Sequence, residues 1–188
     1  EMHLLIAPNS EHSLATGVPE VVESLQAFVS SLAAGQTVRP NFAYKRDNTT
    51  GEMTVKIDAG FTPTSVVMRH AETLQTKRRD FRWVRLANSE VGNCTLPDIP
   101  LPKPIFGANC LVPIVWYSED LKLDANGEYK AKPPTAKPGH WAAYYIEVKF
   151  KSGTESVTEY HFSTPGYTWP DTLPFADCHG AGCIGPPV

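Results

Sequence analysis

From Val18 the apolar positions recur at three- and four-residue spacing. Val18, Val21, Val22, Leu25, Phe28, Val29 and Leu32 fall on one stripe of an amphipathic helix. Pro19 suits the first turn, Glu20 complements the helix dipole there, and Gly35 is the expected stop. Before the helix, residues 2–7 (Met2 to Ala7) form a short, mostly apolar run, the pattern of a strand buried on both faces. Residues 8–13 break that run as a polar loop carrying His12. One parallel strand and one helix leave a strand edge and an apolar stripe without partners. At roughly 1.5–3 kcal/mol per buried side chain, on the order of 10 kcal/mol is at stake along the stripe. Either the residues that follow fold over it or another polypeptide supplies the rest of the sheet, and the second is expected here.

Residues 36–40 read as a linker, after which the helical period disappears and short strand patterns recur. Glu52 to Asp58 alternates cleanly, and the Asn48-Thr49-Thr50-Gly51 turn before it predicts a hairpin of 42–46 with 52–57. Further strands are expected at 65–70, 81–86 and 111–117, with a Pro- and Gly-rich loop over 88–107. The strongest strand spans 141–150, placing Ala142, Tyr144, Ile146, Val148 and Phe150 on one face, and 156–163 returns beside it with Thr158, Tyr160 and Phe162 inward. The expected fold class is mainly β. An immunoglobulin-like antiparallel β-sandwich would occupy 37–188, and the strand–loop–helix unit 1–36 would precede it. That unit resembles the last strand–histidine–helix unit of an α/β-hydrolase, so 1–36 is expected to be the C-terminal piece of such a domain.

The formal charge of −3, from 17 basic and 20 acidic residues, implies no nucleic-acid partner. No apolar run approaches the ~20 residues of a membrane span. The chain starts at Glu1 without an initiator Met or leader, so it reads as a processed product or an excerpt. Its 17 prolines in 188 residues fit a loop-rich β protein. The even count of Cys94, Cys110, Cys178 and Cys183 allows three pairings. The sequence-local pairs Cys94–Cys110 and Cys178–Cys183 are expected. Sequons at Asn48 and Asn93 add to the expectation of an oxidising, extracellular compartment and of glycosylation at both.

Four phrases, Ala7 to Leu14, Arg79 to Arg82, Trp141 to Val148 and Pro174 to Cys178, occur in an order that resembles the PhoPQ-activated pathogenicity-related protein family, which includes secreted autocrine proliferation repressors. The resemblance implies an α/β-hydrolase-like domain followed by a β-sandwich, this chain matching the C-terminal portion. The sequence departs at Met68 to Ala71, where the family tends to place a Trp before the Ala. Within that resemblance His12 stands where the fold places its catalytic base, which takes a proton from a serine and is oriented by a carboxylate. No G-x-S-x-G elbow is present, and serine and acid come earlier in that fold, so the chain alone is not expected to be catalytic. The plain alternative for His12 is a loop histidine bonded to backbone.

Arg78, Arg79 and Arg82 lie in the densest charge run and are candidates to hold an anion or an acidic partner. Such runs are more often solvated edges whose arginines pair with local carboxylates. Cys178, His179 and Cys183 do not make a zinc set, the other histidines are scattered, and neither a metal nor a cofactor is expected. The expected function is a secreted glycoprotein fragment of the proliferation-repressor type, acting by extracellular protein–protein contacts. Its expected partners are the N-terminal hydrolase-like portion of the same precursor and an extracellular protein or receptor. The alternatives are the C-terminal part of a secreted serine hydrolase contributing His12, and a structural β-sandwich module of an extracellular assembly.

Overall fold

The structure is a computed structural model. It describes residues 3–10, 14, 16–76, 79–82, 84–86, 95–96, 99–100, 109–153 and 158–173, with backbone only at 84–86, 95–96, 99–100 and 109–111. The helix α1 runs Val18–Ala33 with its proline in the first turn. It ends where Gly35, at φ +69, lets Gln36 N–H reach back to the Ser31 carbonyl at 2.9 Å.

Among the described residues twelve strands follow: β1 (Phe42–Arg46), β2 (Met53–Ile57), β3 (Ser65–Glu72), β4 (Val84–Leu86), β5 (Thr95–Leu96), β6 (Ile99–Pro100), β7 (Asn109–Leu111), β8 (Tyr117–Asp120), β9 (Tyr129–Ala131), β10 (Ala142–Lys151), β11 (Glu159–Ser163) and β12 (Tyr167–Trp169). They build a three-stranded sheet β1-β2-β9 and a five-stranded sheet β11-β10-β3-β8, in which β12 also pairs with β10. There are also two short ladders, β4-β7 and β5-β6, and every ladder among the described residues is antiparallel.

The hairpin forms where the sequence placed it, Phe42 opposite Ile57 and Arg46 opposite Met53. Its turn is held by the Asp47 carboxylate, which accepts Thr49 N–H at 2.7 Å and Thr50 N–H at 2.9 Å. Those two donors, Thr50 first, lower the Asp47 pKa. Gly51 closes the turn at φ +74, and a Cβ there would stand 2.7 Å from the Trp169 ring. The Tyr144 hydroxyl donates to its carbonyl.

One core draws on both larger sheets, with Met53, Val55 and Ala131 meeting Val66, Met68, Tyr144, Ile146, Val148, Phe150, Tyr160 and Phe162. The other face of β10 is covered too. A second cluster of Ala71, Val112 and Ile114 with Trp116 lies there, and the Trp116 ring sits 5.4 Å from that of Tyr145. Glu147 is fully buried on that face, held by Arg69 at 3.1 Å and Lys149 at 3.7 Å. Nothing in the alternation of β10 announces this second burial.

Three expectations need correction. Residues 3–7 are not a strand, because no parallel neighbour pairs with them among the described residues. Instead the Leu4 carbonyl accepts Ser163 N–H at 2.7 Å, and Ile6 N–H donates to Ser163 Oγ at 3.2 Å. The expected strand 111–117 breaks over 112–116, since Pro113 has no N–H and Trp116 gives its backbone groups to Asn9 (2.8 and 3.1 Å). The strand expected over 81–86 is reduced to Val84–Leu86. Among the described residues, no helix is long and apolar enough to cross a membrane.

Candidate functional site

The first structural oddity is the way α1 sits. It rests on β11 through a face of small residues, with Ala27 and Ser31 buried and Ser24 half-buried. Ser24 Oγ accepts the His161 N–H at 3.2 Å and donates to the His161 carbonyl at 3.5 Å. With the Leu4 carbonyl on Ser163, this covers backbone groups along the free edge of β11, which would otherwise invite another strand. The apolar stripe points elsewhere. Val22, Leu25, Val29 and Leu32 are 53%, 58%, 54% and 53% exposed, and Val18 and Phe28 are exposed as well. Between residues 3–5 and α1 runs a groove of about 460 Å³ lined by Leu4, Leu5, Val21, Leu25 and Phe28. Arg39 closes its far end, its guanidinium 4.9 Å over the Phe28 ring and its Nε donating to Ser31 Oγ at 3.0 Å.

The loop that carries His12 is anchored at both ends, although residues 11–13 themselves lie outside the described residues. Asn9, at φ +54, binds Trp116 through its side-chain amide, and its own carbonyl accepts Thr16 Oγ1 at 2.8 Å. Gly17 is buried against Ser10 and Ala7, where a Cβ would come within 2.4 Å of Ser10 Oγ. Beside this loop the Tyr145 hydroxyl donates to the Ile6 carbonyl at 3.3 Å, and burial pushes the Tyr145 pKa up. One carboxylate oxygen of Glu20 is buried there without a hydrogen-bond partner.

The remaining sequence-derived candidates scatter. Arg79 donates to Thr168 Oγ1 at 2.9 Å and lies 3.9 Å from Asp171. Arg82 grips Asp80 with two bonds, 2.8 and 2.7 Å. Arg78 lies outside the described residues. Asn48 is exposed in the β1–β2 turn, its Oδ1 accepting Arg46 Nη1 at 3.3 Å. Asn93, Cys94, Cys178, Cys183 and the side chain of Cys110 lie outside the described residues. Trp141, Tyr144 and Tyr145 are buried.

Two arrangements were not legible in the sequence. His161 Nε2 meets Glu23 Oε2 at 3.1 Å across the α1–β11 contact, although the two residues are far apart in the chain. A cleft of about 530 Å³ gathers His70, Glu72, Lys137 and His140, and His140 Nδ1 donates to the Thr73 carbonyl at 2.7 Å. There the Glu72 carboxylate stays below its usual range despite the opposing effect of burial, because the backbone and side chain of Lys137 hydrogen-bond to it.

The profile of the family described as PhoPQ-activated pathogenicity-related protein matches residues 1–82. A curated relative, autocrine proliferation repressor protein A of Dictyostelium discoideum, is 28% identical over 193 aligned residues, covering 98% of this chain. The chain spans about a third, 35%, of the length of that relative. No solved structure matches. The resemblance read from the sequence therefore holds: the chain is similar to PhoPQ-activated pathogenicity-related proteins over residues 1–82, and to an autocrine proliferation repressor along nearly its whole length.

Proposed function

We propose that this chain is the C-terminal module of a secreted protein of the proliferation-repressor type, acting through extracellular protein–protein contacts. In this reading α1 is the surface by which an immunoglobulin-like β-sandwich packs on a hydrolase-like portion of the same precursor. The carrying observation is the orientation of α1, which spends its small face on β11 and leaves a stripe of large apolar residues in solvent. Contiguous exposed apolar surface of this kind marks an interaction site. The relative's greater length supplies the candidate occupant, since most of that protein lies outside the part this chain matches. The exposed turn position of Asn48 suits a glycan of a secreted protein.

The test is reconstitution of this chain with the separately expressed preceding portion of its precursor. Wild-type chain is expected to co-elute with it as a stoichiometric complex, and the double variant Leu25→Glu, Val29→Glu is expected not to. Equal co-elution of both would remove α1 as the docking face. Labelling of the complex by a fluorophosphonate probe, lost on His12→Ala, would replace the non-enzymatic reading with that of a serine hydrolase. Enzymatic deglycosylation of the secreted protein should lower its mass, and Asn48→Gln should remove one of the glycans.

A further inference from the structure

We infer that Glu23 on α1 and Glu159 and His161 on β11 form a divalent transition-metal site, zinc by ligand type, that staples the helix to the edge of the sheet. The ligand atoms of these three side chains all lie within 4.8 Å of one another. Zinc bound at about 2.0–2.2 Å to imidazole nitrogen and carboxylate oxygen needs ligand atoms about 3.4 Å apart, a closure that rotation of two partly exposed carboxylates supplies. Glu159 and His161 stand two apart on one strand and so on one face, and the helix brings Glu23 over them.

Three features favour a cation here over a bare cluster of acids. His161 is 2% exposed with its Nε2 directed at Glu23, while its Nδ1 is buried without a partner. An ion among the three side chains would take Nε2, the nitrogen that already faces Glu23, so it is the buried and aimed Nε2, not the unpartnered Nδ1, that favours a ligand here. Among the described residues the ion pairs give Glu159 no basic partner and Glu23 only His161, so two carboxylates converge with little positive charge against them. Finally, Glu23 and Glu159 are only half-buried, which leaves a path for the ion. One imidazole with two carboxylates suits zinc, whereas calcium and magnesium prefer oxygen alone. With three protein ligands the site would keep a position open to water. The assignment stands independently of the docking proposal: it concerns how α1 is held from below, not what covers it.

The experiment is zinc titration of the chelator-treated chain by calorimetry, with thermal melts and a cobalt spectrum in parallel. One zinc per chain is expected to bind, and excess zinc is expected to raise the melting temperature by about 5 °C or more. Glu159→Gln and Glu23→Gln, both at partly exposed positions, are each expected to melt within about 2 °C of the metal-free wild type and to bind zinc at least about tenfold more weakly. Calcium and magnesium should leave the melt where it is. Absence of saturable zinc binding would overturn the site and leave a Glu23–His161 hydrogen bond only. Undiminished binding by both variants would also overturn it, as would a cobalt spectrum with thiolate charge-transfer bands, which would place the ion on the cysteines.

Discussion

Helix α1 and strand β10 are the two segments with the clearest periodicity in the chain, and the fold treats them in opposite ways. β10 shows a half-polar alternation yet is buried on both faces, including the carboxylate of Glu147. α1 shows a broad apolar stripe yet buries only Ala27 and Ser31. The difference teaches that periodicity groups side chains by face without saying which face meets the rest of the same chain. For β10 the polar row is paid off internally by Arg69 and Lys149. For α1 the small residues allow close approach to a strand edge, and the large ones stay exposed.

Substitutions can pull this contrast apart, beginning with the strand. Glu147→Ala leaves the Arg69 guanidinium in a largely covered site without its partner, and about 3–5 kcal/mol of stability is expected to be lost in denaturant unfolding. Ile146→Ala, fully buried on the other face, is expected to cost about 2–5 kcal/mol by the same measurement. If either change were nearly neutral, β10 would not be the doubly buried centre of the molecule.

On the helix, Ala27→Leu forces a large side chain between α1 and β11. An expected cost of about 1–3 kcal/mol should appear together with faster amide hydrogen exchange confined to α1 and β11. The stripe should behave in the reverse sense: Leu25→Glu with Val29→Glu is expected to change the isolated chain's stability by no more than about 0.5 kcal/mol while abolishing docking. A large loss of stability in the isolated chain would mean that the stripe is packed by this chain after all.

The smallest effect belongs to a surface turn that neither segment touches. The Lys130 ammonium, 2.8 Å from the Asp124 carboxylate, and the N–H groups of Glu128 and Asn126 hold that carboxyl down at about 2. Its folded pKa is depressed, so the turn's stabilisation is complete above about pH 4, the ordinary aspartate range, and is lost as pH falls from there through about 2. NMR titration should place the Asp124 midpoint near that value, and Lys130→Met should move it up toward the ordinary range.

Much of the fold was readable beforehand because its signals are local. The hairpin 42–57 follows from Asp47 and Gly51, the helix limits from Pro19 and Gly35, and β3, β10 and β11 from β-branched and aromatic alternation. The misses share one cause, namely that an apolar run names no partner. Residues 3–7 looked like a buried parallel strand, yet with no second parallel strand among the described residues they lie along Ser163 as covering for an edge. Residues 112–116 looked like a continuous strand, yet Pro113 and the claim of Asn9 on Trp116 took their backbone out of the ladder.

By itself the sequence determined the helix, the 42–57 hairpin, the strands β3, β10 and β11 and the family likeness, since turn chemistry, helix punctuation and side-chain alternation act over a few residues. Only the tertiary structure decided which face of α1 is spent on β11, why Glu147 can be buried, and that Glu23, Glu159 and His161 meet. Those outcomes depend on groups 78 to 138 residues apart arriving within a few ångströms, and no local pattern encodes that arrival.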